Sequence, residues 1–176
     1  MDLKQLRLPA LVLTAAAGLS ACGGLGFQPL YATPGLTPSL ESIAVSTPQN
    51  RAGFMLREKI DDAFARKLDQ PARYRLNLTL VEKRNPRGLR VNNVASDVEE
   101  DLNVSYDLIE NATGKKLTSG FVPVSVFYVS ADAPYAGIAA QQDAQARAAD
   151  EVAVRIRLNL SRFFASQPEE PAQTIK

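Results

Sequence analysis

Polar and apolar residues alternate without a break along Tyr74-Arg75-Leu76-Asn77-Leu78-Thr79-Leu80. A period of two is the pattern of a strand with one buried and one wet face. Leu102-Asn103-Val104-Ser105-Tyr106-Asp107-Leu108 repeats it. A third stretch puts Val122, Val124, Val126 and Tyr128 on one side, with Phe121 and Phe127 among the residues opposite. Pro123 has no N–H to give a ladder, so this third strand is expected at a sheet edge. Ser42-Ile43-Ala44-Val45 is a short further strand candidate. Elsewhere the period changes. Leu56, Ile60, Ala63, Phe64 and Leu68 recur every three or four residues, which predicts an amphipathic helix. Thr47-Pro48 marks its start and Pro71 its end. Arg57/Asp61 and Asp62/Arg66 fall four apart on its exposed side. A longer helix is predicted from Gly137 to about Ala165, with Ala149, Val152, Ile156, Leu160 and Phe163 as its stripe.

The predicted order is therefore β-α-β-β-β-α. Two helices with one apolar stripe each need one sheet face to cover, and the alternating strands supply it. The expected fold is α+β, two helices packed on one face of a four-stranded mixed sheet. The other face presents Arg75, Asn77, Thr79, Asp101, Asn103, Ser105 and Asp107. On its residues alone it reads as a solvated surface. Asn111-Ala112-Thr113-Gly114 forms a turn, and Lys115-Lys116 beyond it reads as solvated.

The first 21 residues follow another rule. Lys4 and Arg7 precede a mostly apolar run from Leu8 to Leu19, and small residues stand at Ser20 and Ala21. This is the layout of a secretory signal. Twelve positions are too few to span a bilayer, which takes roughly 20. Next comes Cys22, the single cysteine of the chain. Leu19-Ser20-Ala21-Cys22 resembles a bacterial lipobox, in which the cysteine thiol receives a diacylglycerol and becomes the mature N-terminus. The organisation expected is a signal over 1–21, an acylated cysteine and extended tether over 22–40, one domain over 41–166, and a disordered tail over 167–176.

Without the signal the chain holds 18 basic and 18 acidic residues. A zero balance argues against general nucleic-acid binding, which needs a positive excess. There is no histidine, so Ser-His-Asp and Cys-His catalysis are excluded and the commonest metal ligand is missing. No cofactor or metal is implied. Asp61 and Asp62 are neighbours on a helix and diverge by about 100°. Glu99 and Asp101 share a strand face, but no nucleophile–base pair accompanies them. No catalytic residue is assigned.

Gly26-Phe27-Gln28-Pro29-Leu30-Tyr31, close behind the lipobox, resembles the start of the LPS-assembly lipoproteins of the LptE family in its alphaproteobacterial form. The likeness continues at Tyr106-Asp107-Leu108, Thr113-Gly114-Lys115-Lys116-Leu117, Pro134-Tyr135-Ala136, Asp143-Ala144 and Arg147. Gly23, Gly24 and Leu25 intervene after Cys22, where the family usually has almost nothing. The resemblance implies a non-enzymatic outer-membrane lipoprotein that partners and plugs the LptD barrel and binds lipopolysaccharide transiently. Gly23, rather than aspartate, after the cysteine agrees with outer-membrane sorting. On that reading Arg75, Asn77, Thr79, Asn103 and Ser105 face the polar interior of a barrel. The competing reading is a lipoprotein that carries phospholipid or lipoproteins between membranes. It needs an apolar cavity, yet the one apolar sheet face is already taken by two helices.

Lys83-Arg84-Asn85-Pro86-Arg87-Gly88-Leu89-Arg90 gathers four cations in eight residues at a strand-to-strand tip. Arginine binds phosphate through paired charge-assisted bonds. Arg84, Arg87 and Arg90, with Lys83, are therefore the candidate lipopolysaccharide phosphate site. The alternative is neutralisation by Asp97, Glu99, Glu100 and Asp101 on the next strand, with Lys83 expected opposite Glu99.

Overall fold

The computed structural model describes residues 36–88, 97–130 and 134–167. The signal, Cys22, Leu89, Arg90 and the tail lie outside them. Seven elements follow in order: α1 (Leu36–Glu41), β1 (Ile43–Ser46), α2 (Arg51–Phe64), β2 (Tyr74–Pro86), β3 (Asp97–Glu110), β4 (Lys116–Val129) and α3 (Pro134–Ser166). The sheet order is β1-β2-β3-β4, with β1 parallel to β2 and the other pairs antiparallel. The sheet is mixed, the fold is α+β, and β4 with its Pro123 stands at an edge.

The core sits between one sheet face and the helices. Leu76 and Leu108 meet across β2 and β3, Ile43 of β1 adds to the same sheet face, and Leu56, Ile60, Val152, Ile156 and Leu160 close over it from the helices, all fully buried. At the far end of α3, Phe164 tilts onto Tyr74 with ring centroids 5.3 Å apart. Gly120, paired with Tyr106 across β3 and β4, leaves the space the tyrosine ring occupies, for a Cβ there would run into the ring. Among the described residues no helix is long and apolar enough to cross a membrane.

Three expectations are corrected. Residues 36–40, expected as extended tether, belong to α1, and Leu36 and Leu40 are buried in the core. Pro38 does not forbid this, because N–H groups in the first helical turn have no partner to lose. Next, α2 begins at Arg51 rather than behind Thr47. Asn50 is its N-cap and accepts from the Gly53 N–H at 2.7 Å. Lastly, α2 stops at Phe64, well short of Pro71. Ala65 takes a left-handed conformation (φ 51°), and the Arg66 N–H returns to the Asp61 carbonyl at 3.2 Å. This is a Schellman closure. It turns the chain back so that Tyr74 can pair beside Ile43. Leu68 consequently leaves the stripe and is 78% exposed.

Candidate functional site: the open sheet face and its basic tip

Odd-numbered residues of β2, of β3 and, past the register shift at Leu108/Ile109, of β4 point away from the helices. Register aligns Asn77 with Asp107 and Ser119, Thr79 with Ser105 and Phe121, and Val81 with Asn103 and Pro123. Arg75, Thr79 and Ser105 are exposed, and Asn77 and Asn103 are partly so. The five residues expected on this face thus stand together on it. The face is less polar along β4, where Phe121 and Phe127 are 59% and 58% exposed.

Towards the tip the face carries two polar groups. Asp101 accepts from Asn85 Nδ2 at 2.7 Å through one oxygen and from Ser125 Oγ at 2.5 Å through the other. Glu99 accepts from the Arg87 guanidinium through both Nε and Nη2. Glu99 is only 9% exposed, so the guanidinium is its compensation for lost water. The expected pairing of Lys83 with Glu99 is corrected by two residues. Lys83 stands opposite Asp101, Asn85 opposite Glu99, and Arg87 reaches Glu99 from beyond the strand end.

The three described cations of the basic cluster, Lys83, Arg84 and Arg87, do not converge. Lys83 and Arg84 lie within β2 rather than in a loop, because the ladder runs on to Pro86. Successive strand residues face opposite ways. Lys83 therefore belongs to the open face, while Arg84 lies on the helix-side face opposite Glu100. Glu100 is 1% exposed and its Oε2 has no hydrogen-bond partner. Burial first, and Glu82 and Asp101 next, raise its carboxyl above the ordinary range, while Arg84 pulls the other way. Towards the opposite end of the sheet Lys116, the first residue of β4, pairs with Asp107 of β3 at 3.1 Å.

Among the described residues no cluster of three or more metal-ligating side chains occurs. A cavity of about 440 Å³ opens beside the start of α2, lined by Thr47, Asn50, Arg51, Phe54 and Arg57 among others. Its lining is slightly more polar than apolar, with Pro48 and Phe54 among it, and it is open to solvent.

Compared with solved structures, the chain is 43% identical to a protein from Caulobacter crescentus CB15 assigned as a lipoprotein. The match covers 77% of this chain and 99% of that one at a TM-score of 0.67. The chain belongs to that lipoprotein family. This makes it a membrane-anchored lipoprotein. Its fold is shared with rare lipoprotein B of Shewanella oneidensis (15% identity, 68% of this chain and 92% of that one, TM-score 0.51). The same holds for a lipoprotein B of Nitrosomonas europaea (15% identity, 81% and 94%, TM-score 0.54). No protein-family model matches the sequence, and no curated protein does either.

The pairing of Asp101 with Asn85 and Ser125 escaped the sequence, since it needs the register of three strands. The contacts of Arg147 and Arg155 with the Phe127 and Pro123 carbonyls of β4 escaped it as well. The arginines' visible signal was an acidic residue four positions earlier, Asp143 and Glu151.

Proposed function

We propose that this lipoprotein is a non-enzymatic subunit of an outer-membrane lipopolysaccharide translocon. Anchored through Cys22 on the periplasmic side, it partners and plugs an LptD-type barrel and binds lipopolysaccharide transiently. The observation that carries the reading is the open sheet face. A surface of largely short polar side chains along β2 and β3, bordered on β4 by Phe121 and Phe127, is left uncovered while the opposite face holds the core. A barrel lumen is polar, and short polar groups fit it at little desolvation cost. The likeness in motif to the LptE family and the fold shared with rare lipoprotein B support the same reading. The cavity beside α2 is open to solvent and is not the apolar cavity that the carrier alternative needs.

Asn103→Lys with Ser105→Glu tests it. Both positions point away from the helices, so the double variant is expected to fold and melt as wild type does. Co-purification with the barrel in mild detergent is expected to fall. Undiminished co-purification would mean that the face is plain solvated surface.

A further inference from the structure

The β4 strand is 14 residues long, and among the described residues no further strand pairs with its outer edge. Such an edge is a template for another strand, and proteins that keep one must defend it. Here α3 supplies the defence twice over. Arg147 Nη2 donates to the Phe127 carbonyl at 3.2 Å, and Arg155 Nη1 donates to the Pro123 carbonyl at 2.9 Å. Each guanidinium is held from behind by the carboxylate one helical turn earlier. Asp143 takes Arg147 Nε at 2.8 Å, and Glu151 takes Arg155 Nε at 2.7 Å.

The two clamps match in pitch. Arg147 and Arg155 are eight residues apart on a helix, about 12 Å. Phe127 and Pro123 are four apart on a strand, about 13 Å. The helix runs antiparallel to the strand, so equal acid–arginine units land on equal positions of the ladder. In an antiparallel ladder the N–H and C=O of one residue lie on the same side of the strand. Pro123 and Phe127 therefore share an orientation, and arginines coming from α3 rather than from β3 identify it as the outward one. Between them the clamps occupy two outward acceptors, and Pro123 removes an outward donor.

We infer that Arg147 and Arg155 are edge guards, which keep β4 from pairing with β4 of a second copy of this chain. A second copy is the natural occupant, because an antiparallel edge is self-complementary about a two-fold axis. The inference rests on these contacts alone and stands whether or not the barrel reading does.

The test is Arg147→Ala with Arg155→Ala in the full chain, solubilised in mild detergent. Two quantities are read: the detergent-corrected mass by light scattering, and hydrogen exchange at the Ser125 and Phe127 amides. Wild type is expected to be a monomer with fast exchange at both amides. The double variant is expected to double its protein mass and to protect both. A variant that stays monomeric at the same concentration, whatever its melting temperature, overturns the inference. A doubled mass with both amides still fast also overturns it, since the copies would then meet elsewhere. Should the double variant fail to fold, the two single alanine variants carry the same readouts.

Discussion

Glu100 shows how one residue ties this fold to pH. Its carboxyl is enclosed with one oxygen unpartnered, and burial raises it above its ordinary value of 4.5. In the unfolded chain it loses its proton near that ordinary value; in the native state it keeps the proton longer. Between 4.5 and the raised folded value the native state thus binds more protons than the unfolded one. Stability contributed by Glu100 is complete below that window and is lost as pH rises through it. At neutral pH the native state must bury a charge that Arg84 only partly offsets. Glu100→Gln keeps the shape and removes the charge. It is expected to melt higher than wild type at pH 7.5, with the gap closing towards pH 4. Other carboxylates are common to both proteins and cancel in the difference. A gap that did not change with pH would place the effect in packing instead.

At the scale of elements, the strands were legible and the helix ends were not. The alternations of 74–80 and 102–108 gave β2 and β3 with the right inward faces, and Pro123 gave the edge. Alternation tells which residues share a face, yet says nothing of how far a ladder extends. That is why β2 continues through Lys83 and Arg84 and parts their side chains. Helix ends depend on a few backbone angles that the stripe does not record. Leu68 fits the helical spacing as well as Phe64 does, but the Schellman closure at Ala65 and Arg66 removes it. At the other end the cap is Asn50, and Gly53 is needed beneath it because any Cβ there would collide with the Pro48 carbonyl. Asn50→Ala removes the acceptor for the Gly53 N–H. The expected loss is about 1 kcal/mol of stability, the usual worth of an N-cap. For a domain of this size that is a fall of roughly 2–4 °C in Tm. Denaturant unfolding with an unchanged m-value checks it; no loss would mean that water caps the helix equally well.

For the whole molecule, ion pairs are shared between the helices, as in Arg57–Asp61 and Lys59–Asp150, and the sheet, as in Arg87–Glu99. The sequence presented four cations as one cluster, and only the structure sorts the three it describes: Lys83 opposite Asp101, Arg84 opposite Glu100, Arg87 on Glu99. Composition shows equal numbers of each sign but not who faces whom, so the site was less legible than the fold. This division makes the two roles proposed for the tip separable by mutation. Arg87→Gln leaves Glu99 in a nearly closed setting without its guanidinium. Arg87 is itself 58% exposed, so the pair is only half shielded and the variant is expected to melt only slightly lower. Arg84→Gln with Arg90→Gln leaves that pair intact and removes two other charges. If the tip recognises phosphate, this double variant binds lipopolysaccharide more weakly than wild type. Each lost charge-assisted bond is worth roughly 1.5–3 kcal/mol where water is excluded and much less where it is not. The wild-type advantage is expected to shrink as salt rises, because exposed charges are screened over about 8 Å at physiological ionic strength. Binding isotherms at low and high salt, beside melting curves for both variants, measure all of this together. Unchanged binding in the double variant would take Arg84 and Arg90 out of the proposed site and leave the tip's charges a structural role alone.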